Sequence, residues 1–217
     1  MTAAIRPPSA DSNKFGARTL AQHLASFALR AQWTTMPAAV QERARLHVLD
    51  TLGLALASHT QAYAARCLAG IADASGAGDC SVIGDERRLA ARDAALANAL
   101  LMHGLDFDDT HQMSIVHPSV ASLPTALAIS EQIGASWEDM LGAYAIGVEA
   151  AIRIGAAVKG GFHHVGFHAT GIVSHFSSAL VAGRLMGLSE AQLCAVQGIA
   201  ASTASGVQVF LEEGAWS

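Results

Sequence analysis

The sequence predicts a mainly α, multi-helix domain, and three observations carry that expectation. Apolar residues make up 52% of the 217 positions while aromatics make up only 6%, so the apolar content is mostly Ala, Leu, Ile and Val, interspersed with 20 Gly. Such small side chains suit helices whose axes approach closely. Apolar positions recur at helical spacing in most segments, and no strand–helix–strand alternation runs through the chain. At this length one substantial domain can bury a stable core.

Taken in order, residues 1–17 carry Pro, Ser and Asp without periodicity and read as a flexible N-terminal arm, leaving 18–217 as the helical domain. From Thr19, "TLAQHLASFALRAQW" sets Leu20, Leu24, Phe27 and Ala28 on one stripe. Pro37 opens a second helix, with a polar first half expected in solvent and an apolar second half expected in the core. A third fits "AYAARCLAGIADA" and stops at "SGAGD". The β-branched run "CSVIG" has strand character but is too brief to imply a sheet. Asp85 and Glu86 lead into the helical "RLAARDAALANALLMHGL". Further helices fit 119–133, 136–158 with Ser136 as N-cap and Trp137, Leu141, Tyr144, Val148 and Ile152 on one face, 169–187 ended by Gly187, and a last one capped at Ser189 and Glu190 that runs to about 205. That makes about eight helices. The chain ends on the apolar "FLEEGAWS", which reads as a domain cut short of a continuation.

Charge and cysteine usage narrow the function classes. The net charge is −5, and the basic residues are scattered apart from Arg87-Arg88, which argues against nucleic-acid binding. Cys67, Cys80 and Cys194 are far apart and odd in number, so neither a disulfide framework nor a CxxC metal site is expected, and a reducing cytoplasm is the default. No signal-like apolar core opens the chain. The apolar "GIVSHFSSALVAGRLMG" holds His175, Arg184 and three serines, and reads as a buried helix rather than a membrane span.

Ionisable chemistry is concentrated in two segments. "HGLDFDDTHQMSIVHP" (103–118) packs three histidines and three aspartates into sixteen positions of a chain only 14% charged. It follows a helix and ends at Pro118, so Asp106, Asp108, Asp109, Thr110, His111 and His117 fall in a loop and its flanking turns, where reactive groups are commonly placed. Each residue alone has a plain structural use: Asp108 or Asp109 caps a turn, Ser119 caps the next helix, His103 bonds a neighbouring loop. Together they supply an imidazole beside carboxylates, a unit for acid/base work near neutral pH. Metal binding is the rival use, weakened by the lack of an HxxxH or HExxH pair. In "KGGFHHVGFHATG" (159–171), His163, His164 and His168 stand among four glycines. A helix beginning near Ala169 would place its free N–H groups as an anion site beside His168 and keep that imidazole neutral. His175, two turns on, reads as a satisfied core histidine.

These residues carry a resemblance. "LDTLGLALA" (49–57), "DAALANALLMHGLDFDDTH" (93–111), "HPSVASLPTALAISE" (117–131), "GVEAAIRIG" (147–155) and "GFHATGIVSHFSSALVAGRLMGLSEAQ" (166–192) occur in the order found in the N-terminal half of the MmgE/PrpD family, which includes 2-methylcitrate dehydratase, cis-aconitate decarboxylase and iminodisuccinate epimerases. The resemblance implies a mostly helical large domain, followed in the family by a smaller α+β domain that this chain lacks. It implies a homodimer acting on a small di- or tricarboxylate without metal or organic cofactor. Matched position by position, it places catalytic groups at Asp106, Thr110, His117 and His168; substrate contacts are expected beside them at Asp109, His103 and Gly171. A lysine-bearing segment follows in the family. Here Lys14 and Lys159 are the only lysines and neither matches it, so an incomplete half-site needing a complementary C-terminal domain or chain is the alternative expectation. A metal-dependent hydrolase is a minor one.

Overall fold

A computed structural model describes residues 18–209; the arm expected over 1–17 and the terminal "FLEEGAWS" lie outside the described residues. The chain first enters helix α1 (Leu20–Arg30), where Thr19 Oγ1 accepts from Gln22 N and the Gln22 side chain accepts from Thr19 N, satisfying two otherwise orphaned donors. Ala25, Ser26 and Ala28 are buried on it, Leu24 and Phe27 half-buried; Leu20, expected on the buried stripe, is 67% exposed at the helix's first residue.

Helix α2 (Ala38–Ser58) follows Pro37. Its burial divides by face rather than by half: Ala44, Val48, Thr51, Ala55 and Ser58 recur every three or four residues as a buried stripe, while Leu46, Leu49 and Leu56 stay exposed on the other side. Helix α3 (Ala62–Ala74) leads to a two-stranded antiparallel hairpin, β1 (Cys80–Ser81) with β2 (Arg88–Leu89), in register Cys80↔Leu89. Strand character at "CSVIG" was legible, but Arg88 and Leu89 were expected in the next helix. Cross-strand pairing claims them, and helix α4 starts later (Ala91–His103). Buried Asn98 of α4 ties the hairpin down, accepting from Ile83 N at 2.8 Å and donating to Ser81 O at 2.9 Å.

Helices α5 (Ser119–Ile133), α6 (Trp137–Ala157), α7 (Gly161–His164), α8 (Ala169–Leu185) and α9 (Glu190–Thr203) complete a mainly α domain with nine α-helices among the described residues. The additional one, against about eight expected, is α7, a single turn inside the glycine-rich segment. Ser136 Oγ caps α6 by accepting from Asp139 N, and Ser189 caps α9 in a reciprocal arrangement with Gln192.

The core lies where α5, α6 and α8 meet, built on Leu123, Leu141, Tyr144, Ile146, Leu180 and Val181, all 0–1% exposed. Small residues set the approach: a Cβ on Gly147 of α6 would overlap Val181 of α8 and the Ser122 side chain of α5. Helix α6 is long and apolar enough to cross a bilayer, yet 56% of its apolar window is buried among the other helices, as in the central helix of a bundle. Trp137, at its first residue, is the exposed exception on the face expected to be buried. This packing brings the C-terminus of α4, the 104–118 loop and the N-termini of α5 and α8 together.

Candidate active site

Helix α4 ends at His103, and Gly104 follows at a point of close approach, since a Cβ there would overlap the Tyr63 phenol. The chain then reverses at Asp106, whose φ of +51° lies in the left-handed region that aspartate tolerates better than most residues. The reversal returns Asp108 beneath the helix it came from. Its side chain is 0% exposed, and the His103 Nδ1–H donates to it at 3.0 and 3.2 Å. His117, from the far end of the loop, brings Nδ1 to 3.4 Å from the same carboxylate and to 3.3 Å from Thr110 Oγ1, and the Thr110 hydroxyl donates to Asp108 O at 3.2 Å. On its other side, His117 Nε2 lies 3.8 Å from Asp106 Oδ1. A buried carboxylate is costly unless hydrogen-bonded; one that serves two imidazoles fixes both rings.

The backbone of the loop is closed on itself and on α8. His111 N donates to Val116 O at 3.0 Å, the His111 ring meets Ser114 Oγ at 2.8 Å, and His117 N donates to Thr170 Oγ1 at 3.1 Å. The last contact crosses from one ionisable segment to the other.

His168 is the N-cap residue of α8, held by donation from its own N–H to Gly206 O at 3.0 Å. Its ring stacks on His103 with centroids 6.1 Å apart, and His163 stands edge-on at 6.4 Å. Burial, reinforced by neighbouring His103, His117 and His163 and only partly opposed by Asp106, pushes the His168 pKa down to about 4. The adjacent helix N-terminus disfavours imidazolium in the same direction. This imidazole is neutral at pH 7, as the sequence led one to expect. A cavity of about 570 Å³ opens here, with Tyr63, His103, Gly104, His168, Thr170 and Gly171 in its wall. The first-turn N–H groups of α8 have no intrahelical acceptor and supply partial positive charge beside it. Among the described residues, no Arg or Lys lines that cavity.

Of the seven expected site residues, the fold places His103, His168 and Gly171 in the cavity wall, and Asp106, Thr110 and His117 in the adjoining loop, the His117 and His103 ring centroids being 5.1 Å apart. Asp109 differs: its carboxylate turns to the scaffold, accepting from Ser119 N at 3.1 Å and Ser119 Oγ at 2.7 Å, with His47 Nδ1 at 3.3 Å. Burial raises its pKa. Ser119 is correspondingly not a helix cap, because its hydroxyl is spent on Asp109. His175 Nε2 accepts from Ser205 N at 3.3 Å, a structural bond, though the residue is half-buried rather than in the core as expected. Thr170, Tyr63 and His47 were not singled out from sequence; Asp108 was, in the loop and as a turn cap, but not as the carboxylate that two imidazoles share. One donor atom from each of His103, Asp106, Asp108 and His117 lies within 4.8 Å of the others, a set that could hold a divalent ion.

A helical bundle that gathers carboxylate-held imidazoles and a desolvated one at a helix N-terminus defines a domain equipped for acid/base chemistry on an anion. The chain belongs to the MmgE/PrpD family: the family's N-terminal domain model matches residues 22–217. It is 28% identical over 206 residues to a cis-aconitate decarboxylase of Aspergillus terreus, covering 92% of this chain and 41% of that protein. It is also 28% identical over 187 residues to the cis-aconitate decarboxylase-like protein oryM of Aspergillus oryzae, covering 82% of this chain and 39% of that one. To the human cis-aconitate decarboxylase it is 33% identical over 116 residues, covering 51% and 24%. The chain thus spans about two fifths of the length of the two fungal relatives.

Proposed function

We propose that this domain carries the acid/base half of a lyase site acting on a small di- or tricarboxylate, with decarboxylation or dehydration as the reaction. The observation that supports it most is the setting of His168: a neutral imidazole at the start of α8, stacked on His103, whose own Nδ1–H is held by buried Asp108. Elimination and decarboxylation both build negative charge on the carbon next to a carboxylate. The pair left when a C–H or C–C bond breaks must be stabilised and then either expel hydroxide or take up a proton. In this reading His168 and His117 exchange the proton, Asp106 orients His117 Nε2, and Thr110 and His103 hold the substrate. Gly171 contributes a backbone N–H to a substrate carboxylate at the helix start. Side chains alone supply this chemistry, and the protein acts as a homodimer.

The absence of Arg and Lys from the cavity wall, among the described residues, favours a particular form of the reading: the cations that neutralise the remaining carboxylates come from a further domain or a second chain. Turnover of cis-aconitate, followed by CO₂ release, and of 2-methylcitrate and citrate, followed by loss of water, tests both levels. The assay is run on this chain alone and on the chain extended by the sequence downstream at its locus. Product from the extended form only is the expected result. Absence of turnover from both forms with all three substrates overturns the proposal.

A further inference from the structure

The mechanism above uses one face of the Asp108–Asp109 pair. The other face ends in a buried polar chain without an assigned task. The Asp109 side chain is 7% exposed, and burying a carboxylate is unfavourable unless donors surround it. Two donors from the start of α5 meet it, the backbone N–H and hydroxyl of Ser119, and His47 Nδ1 of α2 stands 3.3 Å away in ion-pair range. The chain continues, because Ser119 Oγ lies 2.6 Å from the Tyr144 hydroxyl of α6. A hydroxyl has one proton, and Ser119 gives its proton to Asp109, so Tyr144 is the donor to Ser119. Burial raises the Tyr144 pKa as well, which keeps that proton in place. The direction is therefore fixed along its length: Tyr144 to Ser119 to Asp109, with His47 Nδ1 in ion-pair range, 3.3 Å from the Asp109 carboxylate, on the opposite side.

We infer that His47 is a positioning residue for the acid/base loop, acting through Asp109 to set the direction of the Asp108 carboxylate and hence of His103 and His117. The two aspartates are consecutive and point apart, so a turn of the backbone that frees Asp109 also swings Asp108 away from both imidazoles. Helices α2, α5 and α6 thereby fix a loop that otherwise holds itself through short-range bonds and Thr170. His47 is the accessible end of the chain, with its side chain 34% exposed at the wall of a separate cavity of about 560 Å³ that Tyr144 also lines. The inference rests on the acid/base reading of the loop for its kinetic consequence only.

The test compares His47→Ala, His47→Asn, whose amide N–H can be presented to Asp109 where Nδ1 stands, and Val48→Ala, a packing change at the neighbouring buried position. In protein labelled with ¹⁵N-histidine, the ring-nitrogen shifts of His103 and His117 report whether Nδ1–H still meets a carboxylate. Both signals move in His47→Ala and return in His47→Asn, while Val48→Ala lowers the melting temperature and leaves them in place. Ser119→Ala, which removes a donor to Asp109 by another route, moves the same signals. In the form that turns over substrate, His47→Ala lowers kcat by about 10- to 100-fold with KM little changed, the size usual for groups that orient a reacting side chain. Unmoved His103 and His117 signals in both His47→Ala and Ser119→Ala overturn the inference, and they do so whether or not the protein shows lyase activity.

Discussion

The 103–118 loop and the 159–171 segment both bring histidines to one cavity, but they prepare them in opposite ways. In the loop, His103 and His117 share the buried carboxylate of Asp108, so each ring is oriented by a negative partner. In the second segment, His168 has other imidazoles around it and a helix N-terminus behind it, and its pKa falls to about 4. Identical side chains about 6 Å apart are thus given different surroundings, a carboxylate for His103 and a desolvated helix start for His168.

Replacing the histidines one at a time sharpens that contrast and gives the largest effect. His168→Gln and His117→Gln each lower turnover by about 10²- to 10⁴-fold, the usual contribution of a positioned acid or base. Their stabilities diverge. His117→Gln withdraws a ring from the buried Asp108 network and lowers the melting temperature, whereas His168→Gln removes a desolvated imidazole and does not. A parallel loss of stability in both, measured by thermal unfolding, would show that the two settings are not different in kind.

A smaller effect follows at the acceptor itself. Asp108→Asn keeps the shape but presents one acceptor oxygen where two were used, so one imidazole loses a charge-assisted bond, costing about 1.5–3 kcal/mol. Urea unfolding checks this. An unchanged midpoint and slope would mean that His103 and His117 are held by something other than Asp108.

Much of this was legible in the sequence, for identifiable reasons. Ser136 and Ser189 announced helix starts because capping is a local bond between near neighbours. His168 could be placed at a helix N-terminus because glycines precede it and an apolar run follows. Leu49 and Leu56, in the half expected in the core, misled, since the choice of which face of α2 is buried depends on partners far along the chain. Asp109 misled for the same reason: only the approach of α2 decides that it faces His47. The strand at Arg88–Leu89 was hidden because helix-forming residues surround it and the pairing with Cys80–Ser81 is tertiary.

The smallest effect, nil at neutral pH, is a dependence on acidity that comes from His168 of the second segment. The His168 pKa is about 4 in the folded protein against an ordinary 6.5, so the unfolded chain binds a proton at this residue before the folded one does. Stability from this group is therefore complete above about pH 6.5, declines as the pH falls towards 4, and changes no further below it. The sign is that of a group that folding keeps uncharged, and burial is its main cause. A proton NMR titration places the His168 C2–H midpoint near 4, and His168→Gln flattens the fall in melting temperature between pH 6.5 and 4. Asp106 is the one charge that opposes the shift, so Asp106→Asn drives the midpoint lower still. A midpoint near 6.5 in the wild type, or a rise in Asp106→Asn, would mean that His168 is solvated like any surface histidine, and the contrast between its setting and that of the loop histidines would be lost.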